Sequence, residues 1–249
     1  METRVVKLLL INANTTVGVT DRLVEHARTL AGPDVEVVGA TGRFGARYIS
    51  SRAAVAVAAH AAVDALAEHG EDADAVCLAC FGDPGLAALK ELSPVPVIGM
   101  AEASCHAAAM MGRRFSIVTG GALWRPMLED FVASLGMSAR LASVATIALT
   151  GDQIARDPEG SLPTLAQACA ACVREDGADV VILGGAALVG LAERLADRVP
   201  VPLICSATAA VAMTLAVARA KPARTSSPAS PVESVGLSPA LARALARRA

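Results

Sequence analysis

The chain has 249 residues, 54% of them apolar and drawn mainly from Ala, Val and Leu, with one Trp, one Tyr, four Phe and a formal net charge of −2. So few aromatics argue against a stacking platform for single-stranded nucleic acid. Basic residues cluster only at Arg243, Arg247 and Arg248, which leaves no electrostatic footprint for DNA, RNA or a membrane surface and points to a small-molecule ligand.

Residues 5–11 form an apolar run that Lys7 interrupts and Asn12 ends, too short for a secretory leader, so it reads as a first strand of a cytoplasmic protein. The run ends in Asn12-Ala-Asn-Thr-Thr16, and 21–30 then has helical spacing. Residues 35–38 read as a second strand and 53–69 as a long Ala-rich helix. Asp74-Ala-Val-Cys-Leu-Ala-Cys80 reads as a third strand, followed by the turn Phe81-Gly-Asp-Pro-Gly85, an amphipathic stretch and a fourth strand at 95–98.

The second half restates this order. Residues 114–119 are a strand ending in Gly120-Gly121, with a helix near 127–135, a strand at 143–148 and a helix at 162–175. Asp179, Gly185 and Leu191 follow Asp74, Cys80 and Leu86 by the same 105 residues, and a strand at 201–204 follows. Strands alternate with helices and no tight hairpin intervenes. The expected fold is therefore α/β, with two pseudo-symmetric lobes, each a parallel sheet flanked by helices, and a site in the cleft between them.

The expected first lobe takes 1–98 plus about 206–220, and the second takes 99–205. Residues 201–218 are apolar enough to raise a membrane span, but Pro202, Ser206, Thr208 and Thr214 divide them into strand, loop and buried helix, so no membrane is expected. Residues 221–234 are a Pro/Ser/Ala linker. Beyond them, 237–249 could form a short basic helix, expected to be disordered or loosely docked. A homo-oligomer is left open.

Six cysteines in such a chain read as free thiols. Cys77/Cys80 and Cys169/Cys172 have the spacing of half zinc sites but lack a polar knuckle, and His26, His60, His69 and His106 form no ligand set, so no metal is expected. No Gly-rich dinucleotide fingerprint, phosphate-binding lysine or Gly-x-Ser-x-Gly elbow occurs, so no cofactor is expected either.

Cys80 is the leading nucleophile or base, because it falls at the carboxyl end of a strand, where open α/β sheets bind ligands. With Asp83 as N-cap and Pro84 at the first helical position, a helix N-terminus would start beside the sulfur and favour its thiolate. Asn14, Thr15, Thr16 and Thr119 stand at equivalent edges, where they could bond a ligand oxygen or cap helices. Phe81, Gly82, Gly185 and Ala186 complete the expected substrate-contacting set. Glu102 and Ser104 either line the same cleft or serve a helix start. Across the pseudo-twofold, Gly185 faces Cys80 without a side chain, and Cys205, one strand over, is the reserve candidate for a second base.

Leu10-Ile-Asn-Ala-Asn-Thr-Thr16, Ala79-Cys-Phe-Gly-Asp-Pro-Gly-Leu86 and Pro96-Val-Ile-Gly-Met-Ala-Glu-Ala-Ser104 together resemble the hydantoin and allantoin racemase branch of the aspartate/glutamate racemase superfamily, over about residues 7–218. The resemblance implies two thiols on opposite faces of a small hydantoin-like or amino-acid-like substrate, exchanging a proton next to a carbonyl without metal or organic cofactor. Cys80 matches the first thiol. The sequence departs at the second, where Leu183-Gly-Gly185-Ala-Ala187 stands against a family Leu-Gly-Cys-Ala-Gly pattern. It also departs at Gly120 and at Ile204-Cys-Ser206, where the family tends to have Thr and Asp. The superfamily also resembles single-thiol arylmalonate-type decarboxylases, so protonation of one face after loss of carbon dioxide is an alternative. A non-catalytic small-molecule-binding homologue is another.

Overall fold

The computed structural model describes residues 5–220, 223 and 231–246. Its first half runs β1 (Val6–Asn12), α1 (Val17–Ala31), β2 (Val35–Thr41), α2 (Arg52–His69), β3 (Ala75–Leu78), α3 (Leu86–Leu92), β4 (Val97–Gly99) and α4 (Met100–Met111). The second runs β5 (Phe115–Gly120), α5 (Trp124–Ser134), β6 (Leu141–Ile147), α6 (Gly151–Arg156), α7 (Pro158–Asp176), β7 (Val180–Leu183), α8 (Leu191–Leu195), β8 (Leu203–Cys205) and α9 (Ser206–Arg219). A last helix, α10, spans Pro239–Ala246.

The strand orders β2-β1-β3-β4 and β6-β5-β7-β8 are the same topology twice, and every pairing is parallel. β3 and β7 are buried along their whole length, as strands covered on both faces must be. In register, Leu10 pairs with Cys77 and Ile117 with Ile182, so the ends of β3 and β7 stand beside those of β1 and β5. That alignment brings the loops after four strands to one edge of each sheet, the position where α/β sheets hold ligands.

The two halves exchange helices. α4 follows the first sheet yet packs against β7 of the second, and α9 follows the second yet packs against β3, β1 and β4 of the first. α4 and α9 also pack on each other, and both bury alanines, Ala101, Ala103 and Ala108 in the first and Ala207 and Ala210 in the second, small side chains that suit close helix approach. One apolar core therefore runs from Leu8 and Leu10 through Met100 to Phe115 and Val181. A smaller cluster under α2 and α3 contains Leu9, Ile11, Leu78 and Cys80. Residues 203–219 are a strand and a helix, and no helix among the described residues is long and apolar enough to cross a membrane.

Two expectations differ. α5 begins at Trp124, with Pro126 in its first turn, where the missing N–H has no helical acceptor to lose. The tail helix is docked: α10 packs on α2 with Ala240 and Leu241 buried, and the Val232 amide donates to the Leu245 carbonyl at 2.9 Å. The buried Asp64 of α2 ties this region together, accepting from Arg43 at 2.9 and 2.7 Å and bonding Ser238. Residues 221, 222 and 224–230 of the expected linker and 247–249 of the expected tail lie outside the described residues.

Candidate active site

A cavity of about 70 Å³ opens between the two sheets, with Asn14, Cys80 and Phe81 on one side and Thr119, Gly185 and Ala186 on the other. Six of the expected contact residues are thus brought together. The cavity is completed by Val19, Tyr48, Ile49, Gly120, Trp124 and Ala187. Tyr48 and Trp124 were not singled out from sequence. Their signal was rarity, since they are the only Tyr and the only Trp in an aromatic-poor chain.

Asn14 is held by a local turn. Its Oδ1 accepts from the Thr16 amide at 2.8 Å and from Asn12 Nδ2 at 3.0 Å, which fixes the side-chain amide of this cavity-lining residue and leaves its NH₂ as a donor. Gly185 has φ +138° and its amide donates to Ser206 Oγ at 3.1 Å, so backbone and not side chain forms that part of the wall. A Cβ built on Gly185 would lie 3.5 Å from Leu188 Cδ1 and 3.9 Å from Thr119 Oγ1, both ordinary contacts.

Three expected residues are placed elsewhere. Thr16 is the α1 N-cap, and its hydroxyl donates to the Arg47 carbonyl at 3.0 Å. Gly82 lies behind Trp124, where a Cβ would come within 2.6 Å of the indole. Cys205 turns toward α1. Burial pushes its thiol up, but hydrogen bonds with His26 and Thr208 outweigh that and bring it below the ordinary cysteine value; the same bond to Cys205 raises His26. Glu102 serves a helix start, with Oε2 accepting from the Gly99 amide at 3.4 Å and Oε1 paired with Lys90, while the Ser104 hydroxyl donates to the Met100 carbonyl.

The electrostatics of Cys80 overturn one expectation. Asp83 does not cap α3: it has φ +49° and reaches across to α4, its Oδ1 accepting from the Ala101 amide at 2.9 Å and its Oδ2 from the Glu102 amide at 2.7 Å. α3 starts later, behind the left-handed Gly85. Gly99 leaves the room this requires, because a Cβ there would collide with the Asp83 carboxylate. The positive end of a helix is therefore aimed at Asp83 and not at the sulfur. Burial, reinforced by Asp83, pushes the Cys80 thiol up to about 12, so its resting form at neutral pH is the thiol.

Asp83 itself is raised to about 7 by burial, held back by the amides it accepts from. Its contribution to stability is therefore full below the ordinary value of 3.8 and is lost as pH rises through about 7. Asp83→Asn is expected to flatten that slope of stability against pH. It should also move the alkaline limb of a Cys80-dependent rate to lower pH, because it removes the negative charge beside the thiol. Urea unfolding at pH 5 and pH 8, with pH–rate profiles of both proteins, checks this; an unmoved rate profile would show that Asp83 does not act on the thiol.

Residues 8–214 match the model of the Asp/Glu/hydantoin racemase family. The chain is 34% identical over 206 residues to a hydantoin racemase of Pseudomonas sp. (strain NS671), covering 82% of this chain and 83% of that protein. The structure of allantoin racemase from Pseudomonas fluorescens superposes with a TM-score of 0.84 at 32% identity, over 88% of this chain and 93% of that one. Arylmalonate decarboxylase shares the fold more distantly, in a mutant structure with a TM-score of 0.66 and 16% identity over 89% of this chain and 96% of that one. With its repeated four-stranded sheets and a cavity between them, the chain belongs to the Asp/Glu/hydantoin racemase family, in the hydantoin and allantoin racemase branch, and is an enzyme of the racemase/isomerase class.

Proposed function

We propose that the protein moves a proton at the carbon next to a carbonyl of a small hydantoin-like or amino-acid-like substrate, with Cys80 as the proton-transfer group and no cofactor. The observation that carries this reading is a single thiol at the end of β3, lining a small cleft between the two sheets with an amide donor, a hydroxyl and glycine backbone. Cys80, as thiolate, takes the proton from the substrate carbon, and the electron pair moves onto the carbonyl oxygen to form an enolate. Asn14 NH₂ and Thr119 OH are the donors suited to that developing charge, because neither brings a competing charge of its own. Return of the proton from Cys80 restores the same face.

A thiol with a pKa near 12 is a scarce thiolate at pH 7 but a strong base once formed, which suits a weak carbon acid. Burial of Cys80, Asn14 and Thr119 also makes each donor to the enolate count for more than it would in bulk solvent.

A second reading, one-face protonation after loss of carbon dioxide from a malonate-like diacid, is favoured by one observation: Gly185 leaves the other wall without an acid. Deuterium exchange from solvent separates the two. With hydantoins, amino acids and malonates supplied as a panel, the primary reading expects deuterium at the reacting carbon of a hydantoin or an amino acid. Carbon dioxide release from a malonate without such exchange would replace it by the second.

A further inference from the structure

The segment 42–51, between β2 and α2, carries two walls of the Cys80 cavity, Tyr48 and Ile49. Arg43, Phe44, Gly45, Arg47 and Ser50 within it are exposed, so its shape depends on a few fixed points and not on a core of its own. One set of these lies at the site. The Gly42 amide donates to the Asn12 and Asn14 carbonyls at 2.8 and 3.1 Å, the Thr15 amide to the Ala46 carbonyl at 3.2 Å, and the Thr16 hydroxyl to the Arg47 carbonyl at 3.0 Å. Tyr48 then reaches the other lobe, its hydroxyl in the space that a Cβ on Gly151 would fill.

The other set leads away from the site. Arg43 Nε and Nη2 donate to Asp64 Oδ2 at 2.9 and 2.7 Å, and Phe44 meets the His60 ring edge-on, with centroids 4.8 Å apart. Asp64 is 1% exposed and keeps its charge only with donors around it. A further donor comes from the tail: Ser238, just before α10, bonds Asp64 while its Oγ accepts from the Leu241 amide at 3.1 Å. One hydroxyl can do both, having a hydrogen to give and lone pairs to receive. Ala240 and Leu241 are buried where α10 packs on α2. This contact lies beyond residues 8–214, which match the family model, so the family's own site gives no reason for it.

We propose that the tail is a positioning strap for the active site: α10 and Ser238 hold Asp64, Asp64 holds Arg43, and Arg43 holds the 42–51 segment with Tyr48 and Ile49 against the Cys80 cavity. With α10 docked, Asp64 is kept from water, and its pull on Arg43 is stronger than between two exposed groups. With α10 undocked, water reaches the carboxylate and the segment loses its outer anchor. A wall in place only part of the time weakens apparent substrate binding in proportion, while the chemical step in the assembled fraction stays as it was.

The test uses the full chain and two readouts that need no substrate. Cysteine labelling by iodoacetamide at pH 9 is followed residue by residue, and amide hydrogen exchange is followed across 42–51. Leu241→Asp puts a carboxylate at a buried position and should undock α10. It is expected to speed labelling of Cys80 at least fivefold and exchange in 42–51, leaving the buried Cys169 and Cys172 of the other lobe unchanged. Arg43→Gln, at a half-exposed side chain, should do the same, and the double variant should do no more than either alone, because both cut one chain of contacts. Leu241→Met should behave as the wild type. Ser238→Ala, which buries no charge, should speed Cys80 labelling at least twofold and carries the test should Leu241→Asp fail to fold. With 5-methylhydantoin, Leu241→Asp should raise KM for deuterium exchange at least fivefold with kcat within twofold. Unmoved Cys80 labelling, labelling of Cys169 and Cys172 that speeds up alongside it, or additive effects of Leu241→Asp and Arg43→Gln would each overturn the strap. Absence of turnover with the hydantoin would count against the hydantoin reading alone, since labelling and hydrogen exchange still decide the role of the tail.

Discussion

Cys80→Ala is expected to lower proton exchange at the substrate carbon by on the order of 10³-fold or more, the range lost when a positioned acid–base group is removed. The reason is positional: among the residues lining the cavity, Cys80 alone carries a thiol, and Asn14 and Thr119 are donors too weakly basic to replace it. The fold should survive, because the substitution removes one sulfur from the wall of an existing cavity, with a stability change of about 1 kcal/mol. Deuterium exchange and thermal unfolding on the same sample check both halves. Exchange within tenfold of the wild type would remove Cys80 from the mechanism.

The same thiol sets a pH dependence. Burial and Asp83 raise Cys80, so the reactive thiolate is the minor form across the neutral range. Log kcat/KM is expected to rise with pH at about one unit per unit, until Cys80 titrates or the fold fails. Alkylation of Cys80 by a small reagent should follow the same slope and be slow at pH 7, contrary to what a helix N-terminus at the sulfur would have produced. A rate that peaks near neutrality would assign the base to another group.

The repeat made the architecture legible, because β3 and β7 each begin after an Asp and end in small residues at matching positions. A strand buried on both faces needs a continuous apolar run, and local composition records that directly. Asp83 was harder. Gly82-Asp-Pro-Gly85 suits a helix cap and a left-handed turn equally, and the choice was settled by the amides of Ala101 and Glu102, which a local reading does not bring near. The charge state of Cys80 followed Asp83 into error. Tyr48 reaches the cavity from the segment between β2 and α2, and Trp124 from the first residue of α5, positions where periodicity carries little signal, and α10 is held by contacts to α2 far away in the chain.

Gly185→Cys is the substitution expected to change the outcome of the reaction and not only its rate. Racemisation by two groups needs a proton donor on the face opposite the base, and Gly185 supplies only backbone where it lines the cavity. The wild type should therefore exchange the substrate proton faster than it inverts the carbon. A cysteine here would meet Leu188 and Thr119 at ordinary distances, but φ +138° is a conformation that residues with a side chain adopt only under strain of about 1–3 kcal/mol. The variant should be less stable by about that amount, yet raise the ratio of racemisation to exchange at least tenfold. Parallel polarimetry and deuterium incorporation measure that ratio. Cys205→Ala is the control: its thiol is engaged by His26 and Thr208 and does not line the cavity, so the ratio should not move. If the wild type already inverts as fast as it exchanges, Gly185→Cys adds nothing and Cys205→Ala abolishes inversion, then Cys205 is the second base and the single-thiol mechanism is wrong.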